Sequence, residues 1–196
     1  MSKRQSRTQT STGQVRIISG QYRGRRLPVL SVDGLRPTGD RVRETLFNWL
    51  QNEVPGARCL DAFAGTGALG FEAASRYAKS VTLVEPHPKV AKALEESCAT
   101  LQATHVRIVQ QTFQAFVATR PEPFDVVFVD PPFHQANFSE VLQGVQQVIA
   151  PNAYIYLECP KNLNDAEILV PANWEVRQDK IYGDVRARLC IAGRIR

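Results

Sequence analysis

The sequence predicts an α/β fold in which helices cover both faces of a doubly wound, mainly parallel sheet. Strand-like apolar runs alternate with helix-like segments between residues 58 and 158, which is typical of parallel sheets built from right-handed crossovers. The run from Phe124 to Val129 is nearly all apolar, as expected for a strand buried on both faces. Ligands bind such sheets beyond the carboxyl ends of the strands. Four strand-like runs end at polar residues that should therefore meet at one edge, namely Asp61, Glu85, Thr112 and Asp130.

The amino-terminal quarter carries the basic charge of the chain. Residues 1–50 contain ten Lys or Arg and three Asp or Glu, whereas the other 146 residues contain 14 and 16. Residues 2–13 have no large apolar side chain, so we predict a disordered basic tail over residues 1–13. Residues 14–38 are predicted to form a hairpin extension. Arginines surround Tyr22 there, and the set predicted to bind RNA phosphates and stack on a base is Arg16, Tyr22, Arg23, Arg25 and Arg26.

A main domain is predicted over residues 39–196 and begins with a helix from about Gly39 to Asn52, capped by Thr38. Its apolar residues recur at helical spacing on one face. Arg41 and Arg43 fall on other faces and are predicted to be exposed. They either form an ordinary solvated surface or extend the RNA-binding surface.

A glycine-rich turn follows the first strand of this domain. The spacing Gly65-x-Gly67-x-x-Gly70 fits the dinucleotide fingerprint, so a nicotinamide enzyme is one hypothesis. Asp61 lies four residues before Gly65, where a carboxylate would repel a pyrophosphate but would suit a ligand with a cationic amine, such as S-adenosylmethionine. Glu85 ends the next strand and can accept hydrogen bonds from both ribose hydroxyls of either cofactor.

The second chemical motif is Asp130-Pro131-Pro132-Phe133, at the end of the fourth strand of the domain. An exocyclic amine on a nucleobase must become more tetrahedral before it can attack the methyl group of a sulfonium ion. The Asp130 carboxylate and the Pro131 carbonyl can accept hydrogen bonds from its two N–H groups, and paired prolines withhold donors. Stacking of a base on Phe133 would contribute about 1–3 kcal/mol. This chemistry needs no metal ion.

Composition excludes several other classes of protein. No apolar run approaches the roughly 20 residues of a membrane span, and the amino terminus lacks the apolar segment of a secretory signal. The four cysteines are far apart, without the spacing of a zinc site or a disulfide framework, so we expect reduced thiols in a cytoplasmic protein. A monomer is expected because no exposed apolar stripe is evident.

From Val15 to about Ile191 the chain resembles class I S-adenosylmethionine-dependent methyltransferases of the amino-methylating group with a D/N-P-P-Y/F motif. It is most similar to the RsmD family of small-subunit ribosomal RNA guanine-N2 methyltransferases. The specific matches are Arg36-Pro37-Thr38 and the segment Asp40 to Glu44, whereas the glycine loop is shared by many methyltransferases.

The resemblance implies a seven-stranded, mostly parallel Rossmann-like sheet with a basic hairpin extension. It implies S-adenosylmethionine as the methyl donor, S-adenosylhomocysteine as the product and 16S ribosomal RNA as the substrate, in a small-subunit particle or an assembly intermediate. The residues implied to bind the cofactor are Asp61, Phe63, Gly65, Gly67, Glu85, Pro86, Thr112 and Phe113, with Gln111 as an alternative to Thr112. Those implied to hold the target guanine are Asp130, Pro131, Pro132 and Phe133.

Four alternatives remain open from the sequence. The same chemistry would serve an adenine-N6 methyltransferase acting on DNA or RNA, or a protein-glutamine methyltransferase, although the basic amino terminus disfavours a protein substrate. A nicotinamide-dependent dehydrogenase would leave Asp61 and the Asp-Pro-Pro-Phe motif unexplained. A non-catalytic RNA-binding assembly factor would bind RNA without transferring methyl groups.

Overall fold

The computed structural model describes residues 13–30, 39–133, 137–163 and 170–193. In these ranges the strands are β1 (Gly13–Arg16), β2 (Arg26–Val29), β3 (Arg58–Asp61), β4 (Ser80–Val84), β5 (Val106–Val109), β6 (Phe124–Val129), β7 (Ile149–Pro160), β8 (Trp174–Tyr182) and β9 (Val185–Ala192). The helices are α1 (Asp40–Trp49), α2 (Ala68–Ser75), α3 (Pro88–Leu101), α4 (Phe113–Ala118) and α5 (Phe138–Gln146). None of these helices has the length and apolar composition needed to cross a membrane.

Seven of the described strands form one sheet in the order β5-β4-β3-β6-β7-β9-β8. All neighbours from β5 to β7 are parallel, and β9 is antiparallel to both β7 and β8. The predicted doubly wound, mostly parallel, seven-stranded sheet is confirmed. From β3 the chain builds outward to β5, then returns to β6 on the other side of β3. The switch point between β3 and β6 is the place where such sheets bind ligands.

The amino-terminal hairpin packs onto this sheet instead of projecting from it. Strands β1 and β2 pair antiparallel, with Arg16 opposite Arg26. The alternate residues Val15, Ile17 and Leu27 are buried in the same core as α1 and α2. The hairpin is confirmed: residues 21–24 form its turn, and its second strand begins at Arg26. Residues 1–12 of the tail predicted over residues 1–13 lie outside the described residues, as does the Thr38 cap, whereas Gly13 belongs to β1 and not to the tail.

The turn of the hairpin rests on the end of α2. Gly20 has a positive φ of 81°, and a Cβ atom there would collide with the carbonyl oxygen of Ser75. The Gln21 N–H donates to that same oxygen at 2.8 Å, and the Tyr22 N–H donates to the Ser75 hydroxyl at 2.9 Å. Only glycine at position 20 allows the turn to approach α2 this closely.

The prediction that Arg43 is exposed is wrong. Its side chain is 0% exposed, and its Nη2 donates to the Arg16 carbonyl at 3.0 Å and to Asp40 at 2.7 Å. Its Nη1 lies 3.8 Å from a carboxylate oxygen of Glu72, which is also fully buried. Helical spacing placed Arg43 away from the apolar stripe of α1, but the hairpin covers that side. Arg43 therefore joins α1 to the hairpin and does not reach solvent, so it is not a candidate for contact with RNA.

Candidate active site

Acidic side chains meet where the parallel strands end, at what we call the carboxyl edge of the sheet. Asp61 ends β3 and pairs with Phe128 of β6. Asp130 follows β6, two residues after Phe128, and so lies on the same face of the sheet as Asp61. Glu85 follows β4, the other neighbour of β3. The switch point of the sheet therefore brings together the acids of the two motifs.

The glycine loop turns from β3 into α2 at this edge. Gly65 and Gly67 have positive φ angles of 50° and 75°. A Cβ atom on Gly67 would lie 2.7 Å from the side chains of Leu94 and Phe71. A Cβ atom on Gly70 would run into Leu83, so the third glycine allows α2 to pack closely against β4. The glycines are thus required by conformation and packing as well as by the approach of a ligand.

Asp61 holds the loop and lies only 2% exposed beneath it. Its Oδ2 accepts a hydrogen bond from the Gly70 N–H at 3.0 Å. Burial raises the pKa of Asp61 to about 7, and the negative charges of Asp130 and Glu85 raise it further. Hydrogen bonds from the backbone N–H groups of Gly70 and Phe63 partly oppose this rise. No cation among the described residues contributes to this shift. A ligand with a cationic amine would supply the missing charge, which fits the amino-acid end of S-adenosylmethionine.

Glu85 connects the glycine loop to the start of α3. Its Oε2 accepts from the Gly65 N–H at 3.0 Å, and its Oε1 accepts from the His87 N–H at 2.8 Å. Burial raises the pKa of Glu85, while these two N–H groups oppose the rise. Each carboxylate oxygen keeps a further lone pair, so a ribose diol can still donate to both. The arrangement fits the predicted ribose contact, and it adds a loop-fixing role that the sequence did not indicate.

The remaining predicted cofactor residues differ in accessibility. Thr112 is exposed and caps α4, because its hydroxyl accepts from the Ala115 N–H at 3.2 Å. One lone pair of that hydroxyl remains for an adenine amine. Phe113 is buried and packs against Phe63 with 5.4 Å between ring centroids. Pro86 is exposed after β4. Phe113 therefore shapes the site through packing, whereas Thr112 and Pro86 can touch a ligand.

The Asp-Pro-Pro-Phe motif extends outward from the buried end of β6. Asp130 is half-buried, Pro131 is buried and Pro132 is exposed. Phe133 is half-buried and packs with one side against the core formed by α4, α5 and the sheet. An acid, a carbonyl without a neighbouring donor and a partly exposed ring therefore follow one another at the switch point.

Sequence reasoning missed a fourth acid on this face, Glu158 of β7. Val129 pairs with Leu157, so Asp130 comes into register with Glu158. Glu158 is 5% exposed and accepts a hydrogen bond from the buried Tyr156 hydroxyl at 2.7 Å. Burial and the negative charge of Asp130 raise the pKa of Glu158 to about 8, although the hydrogen bond from Tyr156 lowers it in part. The sequence did carry a signal, because Glu158 ends a predicted strand just as Asp61 and Glu85 do.

Replacement of Glu158 with Gln should change how stability depends on pH. In the folded chain the Glu158 carboxyl keeps its proton up to about pH 8, whereas in the unfolded chain the same carboxyl loses its proton near pH 4.5. The protonated Glu158 therefore contributes stability that is complete below pH 4.5 and is lost as the pH rises through about 8. We expect the unfolding free energy of the natural chain to fall relative to that of Glu158→Gln by up to about 1.4 kcal/mol per pH unit in this window.

Urea unfolding of both proteins at intervals from pH 5 to pH 9 measures this difference. The comparison cancels the titration of groups that the two proteins share. A constant difference between the two proteins across the range would show that Glu158 is ionised in the folded chain.

The predicted RNA-binding arginines of the hairpin are exposed, but its turn is far from the site. Arg16, Arg23, Arg25 and Arg26 are all accessible. Arg25 donates to the Thr100 carbonyl at the end of α3, and the half-buried Tyr22 ring stacks on His105 at 6.4 Å. The turn thus lies at the opposite edge of the sheet, which we call the amino edge. The length of α2, about 12 Å, separates it from the glycine loop.

Comparison with known proteins agrees with this geometry. Residues 15–191 match the family model described as Conserved hypothetical protein 95. The chain is 46% identical over 182 residues to ribosomal RNA small subunit methyltransferase D of Escherichia coli strain K12, covering 92% of this chain and 91% of that protein. It is 44% identical to the protein of the same name from Haemophilus influenzae, covering 93% and 96%.

Solved structures give the same result. The Escherichia coli protein yhhF superimposes with a TM-score of 0.82 at 45% identity, covering 92% of this chain and 99% of that chain. A structure determined as a complex with SAH, at 14% identity and a TM-score of 0.68, shares the fold alone. The match across nearly the whole chain, together with the acids at the switch point of the sheet, shows that the chain belongs to the RsmD family of methyltransferases.

Proposed function

We propose that this enzyme transfers a methyl group from S-adenosylmethionine to the exocyclic N2 amine of a guanine in 16S ribosomal RNA. The observation that carries the proposal is the meeting of Asp61, Glu85 and the Asp-Pro-Pro-Phe motif at one switch point. The names of the related proteins support small-subunit ribosomal RNA as the substrate. A nicotinamide cofactor is not favoured by the family to which the chain belongs.

One set of residues binds the cofactor, and a second set binds the target base. When bound, S-adenosylmethionine supplies an electrophilic methyl group. Asp61 and the glycine loop hold its amino-acid end, and Glu85 holds the ribose. On the other side of the switch point, the two N–H groups of the target amine donate hydrogen bonds to Asp130 and to the Pro131 carbonyl, and the base stacks on Phe133. Orientation of these acceptors favours in-line attack by the nitrogen, in which the N–C bond would form as the methyl–sulfur bond breaks and S-adenosylhomocysteine leaves. The proton that the amine loses would pass to the Asp130 carboxylate or to solvent.

Nucleoside analysis by mass spectrometry tests the proposal directly. Small subunits, assembly intermediates and protein-free 16S RNA from cells lacking this protein would each be incubated with it and S-adenosylmethionine. We expect N2-methylguanosine, with a subunit particle or an intermediate as the better substrate and a monomeric cytoplasmic enzyme as the catalyst. N6-methyladenosine as the product would replace the guanine assignment. Absence of any methylated nucleoside, with cofactor binding verified by calorimetry, would reject the function.

The arginines of the hairpin should strengthen RNA binding through contacts far from the target base. Arg16 and Arg26 lie opposite each other on the exposed side of the hairpin, and Arg23 extends the basic surface toward the amino edge. Substitution of Arg16, Arg23 and Arg26 by Ala should weaken RNA binding. It should also flatten the plot of log affinity against log salt concentration by about 0.7 for each single-strand phosphate that the variant no longer neutralises. Filter binding at several salt concentrations measures the slope, and an unchanged slope would place the RNA elsewhere.

A further inference from the structure

A groove opens beside the active site between α1 and the turn that joins β8 to β9. Its walls are the first two turns of α1, with Arg41, Val42 and Thr45, and the end of β8 with its turn, Lys180 to Gly183. We call it the rim groove. Its volume is about 610 Å³, within the usual range of sites for small ligands.

The rim groove lies on the same face of the sheet as the catalytic acids. Glu158 pairs with Ala187, and Ala187 pairs with Lys180, so one row of residues crosses from Asp130 to Lys180. Three strand spacings separate the two ends of this row, or about 14 Å. A strand of RNA with its target base at Asp130 can cover this distance with a few nucleotides. The turn of the hairpin, by contrast, lies at the amino edge.

The charges of the rim groove suit a polyanion. Neither Arg41 nor Lys180, both exposed, forms an ion pair with a carboxylate of the described residues. The Lys180 ammonium instead lies 5.5 Å from the centre of the Trp49 ring, within the distance at which an aromatic ring attracts a cation. Three nearby acids pair with other cations: Asp40 with Arg43, Asp179 with Arg186, and Asp184 with Lys161. The exposed Glu44, one turn after Arg41 on α1, forms no ion pair with either cation of the groove.

Apolar and aromatic surface accompanies these two cations. Ile181, which is 61% exposed, and the half-buried Tyr182 both line the groove. Cations that contact phosphates, combined with a ring that can stack on a base, are the features with which proteins hold single-stranded nucleic acid. We infer that the rim groove binds the single-stranded RNA adjoining the target guanine, an inference that rests on the proposed function.

Salt-dependent binding gives the first test. The double variant Arg41→Ala/Lys180→Ala should bind a 16S RNA fragment that contains the target about tenfold more weakly. Its log–log salt slope should fall by about 1.4, which corresponds to two phosphates of a single strand. The control Lys79→Ala/Arg107→Ala removes two exposed charges away from the groove, one just before β4 and one on the edge strand β5. Equal affinity and slope for the two double variants would overturn the inference.

Crosslinking identifies the occupant. A photoreactive group is attached to Ile181→Cys, and as a control to Tyr77→Cys, which replaces a residue 62% exposed just beyond the end of α2. Both variants carry Cys98→Ser, because Cys98 is the one native thiol of the described residues that is not buried. In small-subunit particles the Ile181 variant should label RNA within a few nucleotides of the target guanine, and the control should not.

The same preparations are assayed for N2-methylguanosine, which separates the two claims. Absence of methyl transfer by the natural chain would reject the proposed function. Methyl transfer without an RNA adduct at position 181, or with an adduct on a ribosomal protein instead, would overturn the rim groove alone.

Discussion

Replacement of Asp130 with Ala should remove methyl transfer while leaving cofactor binding nearly intact. Asp130 is half-buried at the end of β6, beyond Asp61 on the same face of the sheet, where it can reach a target amine. Loss of one oriented polar group at a reacting centre lowers kcat by about 10²–10³-fold. Cofactor affinity should change little because Asp61 and Glu85 make their contacts on the other side of the switch point. Single-turnover methyl transfer and calorimetric cofactor titration measure the two quantities separately.

The variant Asp130→Asn provides the matched control. It keeps one acceptor oxygen and the side-chain shape but removes the charge, so we expect activity between those of the natural enzyme and Asp130→Ala. If all three proteins methylate RNA at the same rate, the target amine is held by other groups. If Asp130→Ala loses cofactor binding as well, Asp130 belongs to the cofactor site.

Replacement of Glu72 with Ala should be the most destabilising change to a buried polar group of this fold. Glu72 lies on α2 with 0% exposure, and its carboxylate accepts from the backbone N–H groups of Ile18 and Ser19 at 2.7 and 3.1 Å. It also pairs with Arg76 at 2.8 Å and lies 3.8 Å from the buried Arg43. Removing it leaves two backbone donors unpaired and a buried guanidinium with less compensation.

The expected loss is about 3–5 kcal/mol of unfolding free energy, the usual effect of removing one partner of a buried ion pair. This is a large share of the roughly 5–15 kcal/mol that stabilises typical proteins. Urea unfolding measures the loss, and hydrogen exchange at Ile18 and Ser19 shows whether the hairpin detaches first. Glu44→Ala, on the exposed side of α1, should stay within about 0.5 kcal/mol of the natural chain. Equal midpoints for Glu72→Ala and Glu44→Ala would contradict the structural role of Glu72.

Local patterns predicted most of the scaffold. The alternation of apolar runs indicated the order of the strands and helices in the parallel part of the sheet. Helix α1 ends at Trp49, three residues before the predicted end at Asn52, because the chain turns after Leu50. Such differences at the ends of elements arise because tertiary contacts, and not propensity, decide where an element stops.

The chemistry of the motifs follows from the sequence alone. A carboxylate before the glycine loop, an acid after the next strand and the Asp-Pro-Pro-Phe segment have their chemical character wherever they fold. The rule that parallel strands end at one edge then predicted that Asp61, Glu85 and Asp130 would lie together. Each of these inferences depends on residues close together in the chain, or on a rule that holds for every sheet of this class.

Tertiary packing, in contrast, sets which side chains RNA can reach and which acids interact. Arg43 is charged and lies off the apolar stripe of its helix, yet the hairpin covers it. Glu158 faces Asp130, and Lys180 lies across the sheet from both, because of strand pairings between distant segments. Periodicity reports which side of an element is apolar, but the burial and pKa of a polar residue depend on the neighbour that covers it. Contacts between segments that are distant in the sequence determine which neighbour covers the residue, and a local sequence pattern does not predict those contacts.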